Sequence, residues 1–238
     1  MRALKLFGFG LIGYLCGSVS FGRVIGKMVA PELDMADTTL AMPGGAELDY
    51  RGVSATSVAV KTSPVWGVVT GVLDTGKAYM PTLLTMRRWP EESYHAAVAI
   101  GAIVGHNYPL YHGFNGGRGQ TPFYGGMLAM DPIGVPVTNA AGVVLGIGVF
   151  REMFVSYTLG MWLAIPWFMW RRRTPETIFA VAGNLLFSIR VVPEIKDYIE
   201  LRRSGQMDAV GTWRDFFSSY PALDPHRDQV PEAPDSAE

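Results

Sequence analysis

The sequence predicts an all-α, polytopic membrane protein with about seven transmembrane helices, and three observations lead there. Hydrophobic residues make up 49% of the 238 and charged residues only 17%, against about 25% in an ordinary soluble domain. The charges gather in short segments and in the C-terminal tail, so that long stretches carry almost none. Several of those stretches reach the roughly 17 to 25 apolar residues that a bilayer crossing needs.

The first apolar segment covers residues 4–24, behind Arg2 and Lys5. Its apolar core is longer than that of a secretory signal and no A-x-A pattern follows it, so a retained first helix is expected. Residues 64–84, 93–111, 133–150 and 154–170 read directly as further spans. Residues 119–130 are short and glycine-rich and 175–192 are only just long enough, which gives seven spans, or five if both are refused. Small-xxx-small pairs at Gly13/Gly17, Gly22/Gly26, Gly67/Gly71 and Gly142/Gly146 predict close helix contacts, because lipid offers no hydrophobic drive for helix packing.

Of the connections, residues 30–62 are long and polar, which in a compact membrane protein suggests a working part, whereas Asp131-Pro132 is a bare corner. The organisation expected is a membrane domain over 1–192, an amphipathic cytoplasmic segment over 193–223 and a disordered tail over 224–238, where Pro, Asp and Glu dominate. With the N-terminus outside, residues 30–62, 111–120 and the tail fall on the cytoplasmic side. The positive-inside count is nearly even once the tail is set aside, and Arg171, Arg172 and Arg173 face outward against the rule.

A net charge of -1 lacks the basic footprint of a nucleic-acid binder. A single cysteine, Cys16, allows no internal disulfide. Residues 113–121 read Gly-Phe-Asn-Gly-Gly-Arg-Gly-Gln-Thr. Unobstructed backbone N–H groups together with Arg118, feeding the start of a helix, suit an anion; a plain flexible turn is the alternative. Asp74 and Lys77 lie three apart inside an apolar span, so they share a helix face, as a structural ion pair or as substrate ligands. Gly71-Val-Leu-Asp-Thr-Gly-Lys-Ala78 imitates a P-loop but has alanine where the magnesium ligand belongs and sits within an apolar span. His106 and His112 flank a helix break at Pro109, and either suits a general base or a hydrogen-bonded interfacial residue. No H-x-x-x-x-D pair, G-x-S-x-G elbow or metal-ligand cluster occurs in the chain.

Taken in order, these segments resemble the bacterial acyl-phosphate:glycerol-3-phosphate acyltransferase family. Tyr14-Leu-Cys-Gly-Ser-Val-Ser-Phe-Gly22 is similar to its Y-L-x-G-S-x-x-F-G pattern, and Ala55-Thr-Ser57 keeps part of a G-S-x-N-x-G-A-T-N loop. Asp74 and Lys77 stand where D-x-x-K-G follows, and Gly105-His-Asn-Tyr-Pro109 with Phe114-Asn-Gly-Gly-Arg-Gly119 resembles G-H-x-F-P and F-K-G-G-K-G. Ser156 stands where the family has the serine of a Y-V-S segment. The departures are Asp49-Tyr-Arg-Gly52 for G-S-x-N, Ser57 for an asparagine, Val60 for an arginine and Asn115 for a lysine.

The resemblance implies an acyltransferase-like domain over 1–192 in the bacterial inner (plasma) membrane, multi-pass, acting in phospholipid biosynthesis. It implies transfer of a fatty acyl group from acyl phosphate to the sn-1 hydroxyl of glycerol 3-phosphate, without metal or organic cofactor. Partners would be glycerol 3-phosphate, fatty acyl phosphate and membrane lipid, with no nucleic acid. The implied catalytic residues are His106 and Ser156. The implied phosphate ligands are Arg118, Gly116, Gly117, Gly119, Lys61, Thr56 and Ser57. The alternative is a catalytically impaired membrane homologue acting as a binding or assembly partner.

Overall fold

The computed structural model describes residues 1–41 and 47–205. The chain is mostly helical, and its order is α1 (Arg2–Gly17), α2 (Phe21–Val29), β1 (Asp37–Ala41), β2 (Glu47–Arg51), α3 (Ala55–Lys61), α4 (Pro64–Arg88), α5 (Tyr94–Asn107), α6 (Gln120–Met130), α7 (Gly134–Leu145), α8 (Met153–Trp170) and α9 (Thr174–Arg203). The expectation of an all-α chain is corrected by one antiparallel hairpin, in which Asp37 pairs with Arg51 and Thr39 with Asp49. The tail over 224–238 and most of the segment expected over 193–223 lie outside the described residues.

The burial pattern is that of a chain whose surroundings are apolar. Outward faces carry Leu4, Phe7 and Leu11 on α1, Val65, Val68 and Val72 on α4, and Ile178, Leu185 and Ile189 on α9. Polar Thr70, Asp74, Asn107 and Asn184 are buried instead. Patches of exposed apolar side chains on this scale belong to surfaces that face something other than water. Among the described residues, two helical runs are both long and apolar enough to cross a bilayer, Arg2–Val29 (28 residues, through the bend between α1 and α2) and Thr174–Arg203 (30 residues); Gly134–Phe150 is apolar but shorter. With 14 and 11 residues, α5 and α6 reach only roughly 21 and 16 Å at 1.5 Å per residue. Both are shorter than a hydrocarbon core of about 30 Å.

Helix ends follow local chemistry. The run 4–24 is not one helix, because the chain bends at Ser18-Val19-Ser20, where Ser18 Oγ turns back onto the Tyr14 carbonyl at 2.8 Å. Helix α5 stops at Asn107 because Tyr108 precedes Pro109, which disfavours helical backbone at the residue before it. Ser54 starts α3 with a capping box, its Oγ accepting from the Thr56 N–H at 3.2 Å while Ser57 Oγ accepts from the Ser54 N–H at 2.9 Å. By contrast, α9 runs unbroken through Pro193 to Arg203, so the expected boundary at 192/193 falls inside one helix.

Glycines bring α1 and α5 together. A Cβ on Gly13 would enter the Val98 backbone and one on Gly17 the Ala102 backbone, while Gly101 and Gly105 press on Gly10 and Tyr14. Contacts advance in the same direction along both helices, so the two run parallel. A second core lies between α6, α8 and α9, where Phe123, Phe168, Phe179, Met127 and Met161 are fully buried.

The bundle has two chemically distinct ends. One collects the C-termini of α1 and α5 and the starts of α6 and α8, joined by Leu110 N–H to Ser18 Oγ (3.3 Å) and Gln120 Nε2 to the Tyr157 carbonyl (2.8 Å). The other collects Arg2 with Glu92 (4.0 Å), Arg171 with Asp131 (3.5 Å) and His95 with Glu176 (3.5 Å). Residues 113–119 lie at the first end and Arg171 to Arg173 at the second.

Candidate active site

The glycine loop is built by positive backbone angles and by what grips it. Gly113 (φ 60°), Phe114 (φ 60°) and Gly119 (φ 89°) take left-handed conformations. At Gly119 a Cβ would lie 2.6 Å from Asn107 Oδ1 and 2.8 Å from Ile103 Cγ2, so only glycine lets α6 start there. Gly116 and Gly117 are buried, and the Gly117 N–H donates to the His106 carbonyl at 3.0 Å.

Two arginines hold the loop from outside it. Arg190 Nε donates to the Gly117 carbonyl (3.1 Å) and its Nη2 to the Gly116 carbonyl (2.9 Å), while its guanidinium lies 5.3 Å from the Tyr108 ring centre. Arg23 Nη2 donates to the Asn115 carbonyl at 3.0 Å. Neither arginine joins a carboxylate in any ion pair of the described residues. Carbonyl dipoles orient both guanidiniums, and the charge of Arg190 is also felt by the buried Glu194 carboxylate one helical turn on. His112, beside the loop, has its imidazole held below the usual value, first by burial and then by Arg23, Lys27 and Lys77.

Arg118 is placed differently from a free phosphate ligand. Its Nη2 pairs with Glu194 Oε2, its Nε donates to Glu194 Oε1 at 3.2 Å, and its guanidinium lies 3.9 Å from the Tyr50 ring centre. Glu194, buried on α9, also accepts from the Arg51 N–H at 3.2 Å, and Arg51 Nη2 reaches Asp197 at 3.0 Å. Through these contacts the hairpin, the loop and α9 are tied together. Gly52 seats the hairpin on the loop: its φ is 136° and a Cβ would stand 2.6 Å from the Gly116 carbonyl oxygen.

Behind the loop lies a buried polar triad. Lys77 Nζ is 2.7 Å from Asp74 Oδ1, 2.7 Å from the Val19 carbonyl oxygen and 3.0 Å from His106 Nδ1. The Nε2 edge of His106 faces Gly117, where any Cβ would collide with it. An open pocket of about 320 Å³ lies between hairpin and loop, lined by Asp37, Asp49, Tyr50, Arg51, Asn115 and Arg190. A hollow of similar size, about 330 Å³, lies at the far end beside Arg2, Lys5, Glu91 and Glu92. The loop pocket is the candidate site because buried polar groups converge behind it.

Of the residues singled out from sequence, His106, Gly116, Gly117, Arg118, Gly119, Asp74 and Lys77 come together here. Ser57 is engaged in the α3 cap, which also uses the Thr56 N–H, and Lys61 Nζ donates to the Asp34 carbonyl at 2.6 Å. No hydrogen bond or ion pair of the described residues joins those three to the loop. Ser156, at the start of α8, packs on Gly146 where a π-helical turn (Gly146–Phe150) ends α7. Sequence reasoning missed Arg23, Arg190, Glu194 and Tyr50. The available signal was intramembrane charge, since Arg190 interrupts an apolar run and Glu194 follows one helical turn later. No group of three or more His, Cys, Asp or Glu placed to hold a metal occurs among the described residues.

The chain is thus a helical bundle with apolar outer faces and a cationic glycine loop at one end, the form of a membrane protein. The fold is that of the integral membrane glycerol 3-phosphate acyltransferase PlsY (YgiH). In its lysophosphatidic acid form the TM-score is 0.69 at 20% identity, covering 89% of this chain and 98% of that one. In its glycerol 3-phosphate form the TM-score is 0.66 at 22% identity, with the same coverage. The chain belongs to the glycerol-3-phosphate acyltransferase family, whose model matches residues 7–200. Among curated relatives of that name, the one from Anaeromyxobacter dehalogenans is 35% identical over 62% of this chain and 70% of its own length. That from Aquifex aeolicus is 28% identical over 79% of each chain. The match to the Albidiferax ferrireducens relative is 28% identical and spans 57% of that protein.

Proposed function

We propose that this chain acylates glycerol 3-phosphate at the glycine-loop end of the bundle. The sn-1 hydroxyl oxygen bonds to the carbonyl carbon of a fatty acyl phosphate, and the bond from that carbon to the phosphate oxygen breaks. Phosphate leaves carrying the hydroxyl proton, and lysophosphatidic acid remains. The donor is already activated, so the protein has mainly to bring two anions together and to stabilise charge at the acyl carbon.

The observation that carries this reading is the loop itself, with Arg190 and Arg23 bound only to its carbonyls in a chain of this family. Guanidiniums so placed keep donors and charge available for phosphate oxygens. The glycines serve close approach, while the Gly117 N–H is already bonded to His106. Arg118 contributes once Glu194 yields to a substrate phosphate. Ser156, Thr56, Ser57 and Lys61 stand outside this arrangement unless substrate draws them in.

About seven membrane crossings, with residues 30–62, 111–120 and the tail cytoplasmic, fit the two ends of the bundle: the loop faces the compartment that supplies glycerol 3-phosphate, and Arg171 to Arg173 face away. The location is the bacterial inner membrane, multi-pass, with 1–192 as the working domain. Nothing favours the alternative of an impaired homologue acting as an assembly partner. Purified protein in detergent should release inorganic phosphate from palmitoyl phosphate only when glycerol 3-phosphate is added. Equal release with and without the acceptor would overturn the reading.

A further inference from the structure

Buried between α4, α5 and the bend after α1, His106 has one ring nitrogen committed and one aimed at the loop. Nδ1 lies 3.0 Å from Lys77 Nζ and 3.8 Å from Asp74 Oδ1, too far from the carboxylate for a hydrogen bond. Lys77 Nζ also faces the Val19 carbonyl oxygen and Asp74 Oδ1, each at 2.7 Å. With the pair's single proton on Lys77 or on Asp74, the proton inventory gives the same answer. As an ammonium, Lys77 has three donors for three acceptors. If the pair's proton sits on Asp74 instead, the carboxyl donates to the amine lone pair, and the two remaining amine hydrogens go to Val19 and His106. In both cases His106 Nδ1 accepts. A neutral imidazole that accepts at Nδ1 carries its proton on Nε2, the edge that faces Gly117. Among the described residues no hydrogen bond uses that N–H.

We propose that His106 is not the proton acceptor of the reaction but a fixed, neutral Nε2–H donor to the oxyanion that develops at the acyl carbon, with Lys77 and Asp74 as positioning residues that lock its tautomer. The oxyanion role rests on the acyltransferase reading above; the tautomer does not. The division of labour follows from charge. Standing phosphate charge is met by the guanidiniums of Arg23 and Arg190, whereas an oxyanion that exists only in the transition state is best served by a pre-aimed N–H in a dry site, where no reorganisation is needed as charge develops. Imidazole in this role cannot also take the hydroxyl proton, because Nδ1 is occupied and Nε2 is already protonated.

The test has a spectroscopic and a kinetic arm. In ¹⁵N-histidine-labelled protein in detergent, with the His106 signals assigned by their loss in His106→Gln, Nδ1 should read as unprotonated and Nε2 as protonated throughout about pH 6 to 8, the range in which a free imidazole titrates. A Nδ1–H tautomer, or an imidazolium in that range, overturns the proposal. The paired Asp74→Asn, Lys77→Met variant leaves no unmatched charge and should mix the two tautomers at unchanged helicity; an unchanged His106 spectrum overturns the positioning role. His106→Ala should lower kcat by about a hundredfold or more with KM little changed, as losing an oxyanion donor does. His106→Gln keeps an N–H and should recover most of that loss, while His106→Ala and His106→Gln equally inactive would mark a proton acceptor and overturn the donor role. Wild-type protein without acyltransferase activity would remove the functional reading alone, since the tautomer is read independently.

Discussion

Arginines crowd both ends of the bundle, and at the loop end two of them, Arg23 and Arg190, are partnered unlike those of the far end. At the far end Arg171 and Arg173 reach Asp131 at 3.5 and 3.9 Å, Arg173 reaches Glu176 at 3.3 Å, and Arg173 also donates to the Met130 carbonyl that closes α6. These cations are neutralised by carboxylates and serve as a clasp. At the loop end Arg23 and Arg190 donate to carbonyls and form no direct ion pair among the described residues. The same residue type thus makes a structural knot at one end and, at the other, leaves two guanidiniums joined to no carboxylate among the described residues. In the proposed topology Arg171 to Arg173 lie on the side that the positive-inside rule disfavours, and two of the three, Arg171 and Arg173, are paired with carboxylates.

The largest expected effect of breaking this contrast is at Arg190. Arg190→Ala removes the fork that holds two loop carbonyls, and kcat/KM should fall by about a hundredfold, the equivalent of ~2.7 kcal/mol. Arg190→Lys keeps the charge without the fork and should recover only part of it.

Next comes Gly117→Ala, whose methyl group must displace the His106 ring. Overpacking of this kind costs about 1 to 3 kcal/mol. A lower melting temperature together with reduced kcat is expected, and wild-type values for both would show that the loop is not seated on His106.

Arg118 sharpens the comparison, because it is an arginine at the loop end with a buried carboxylate partner. Arg118→Ala should lose roughly tenfold or more in kcat/KM and about 1 to 3 kcal/mol of stability, since Glu194 is left buried with only the Arg51 N–H. Adding Glu194→Gln should restore the melting temperature but not the activity. Recovery of both would make Arg118 a purely structural residue.

The half of the site that was legible in the sequence is the half made of near neighbours. Asp74 and Lys77 needed only helical spacing, and the glycine loop announced its own backbone. Arg23, Glu194 and Arg190 act across 92, 76 and 73 residues, and no local pattern carries a contact of that separation. The fold divides in the same way. Apolar runs identified the solvent but not every helix end: the bend at Ser18 to Ser20 was invisible inside a stretch that read as continuous, whereas Pro109 marked the break after α5. Of the hairpin, Glu47-Leu-Asp-Tyr-Arg51 does alternate, with Leu48 and Tyr50 buried, but its partner Asp37-Thr-Thr-Leu-Ala41 shows no apolar alternation, so no pair of strands stood out.

The smallest effect should come from the clasp. Arg173→Ala gives up partly exposed ion pairs and a carbonyl contact, so stability should drop by about 1 kcal/mol and kcat/KM should stay within about twofold. Cysteine labelling at Arg118 and Arg172 in a Cys16-free background supplies the geometric counterpart: the two sites should react from opposite faces of the membrane, and reaction from one face would contradict the two-ended arrangement.

The most direct test sets the two ends against each other in one assay, following glycerol 3-phosphate-dependent phosphate release from palmitoyl phosphate by wild type, Arg190→Ala and Arg173→Ala at matched helicity. A roughly hundredfold loss for Arg190→Ala beside near wild-type turnover for Arg173→Ala is the predicted result. Equal losses at the two ends, or an Arg190→Ala protein that turns over like wild type, would contradict the assignment of the glycine-loop end as the site of acyl transfer.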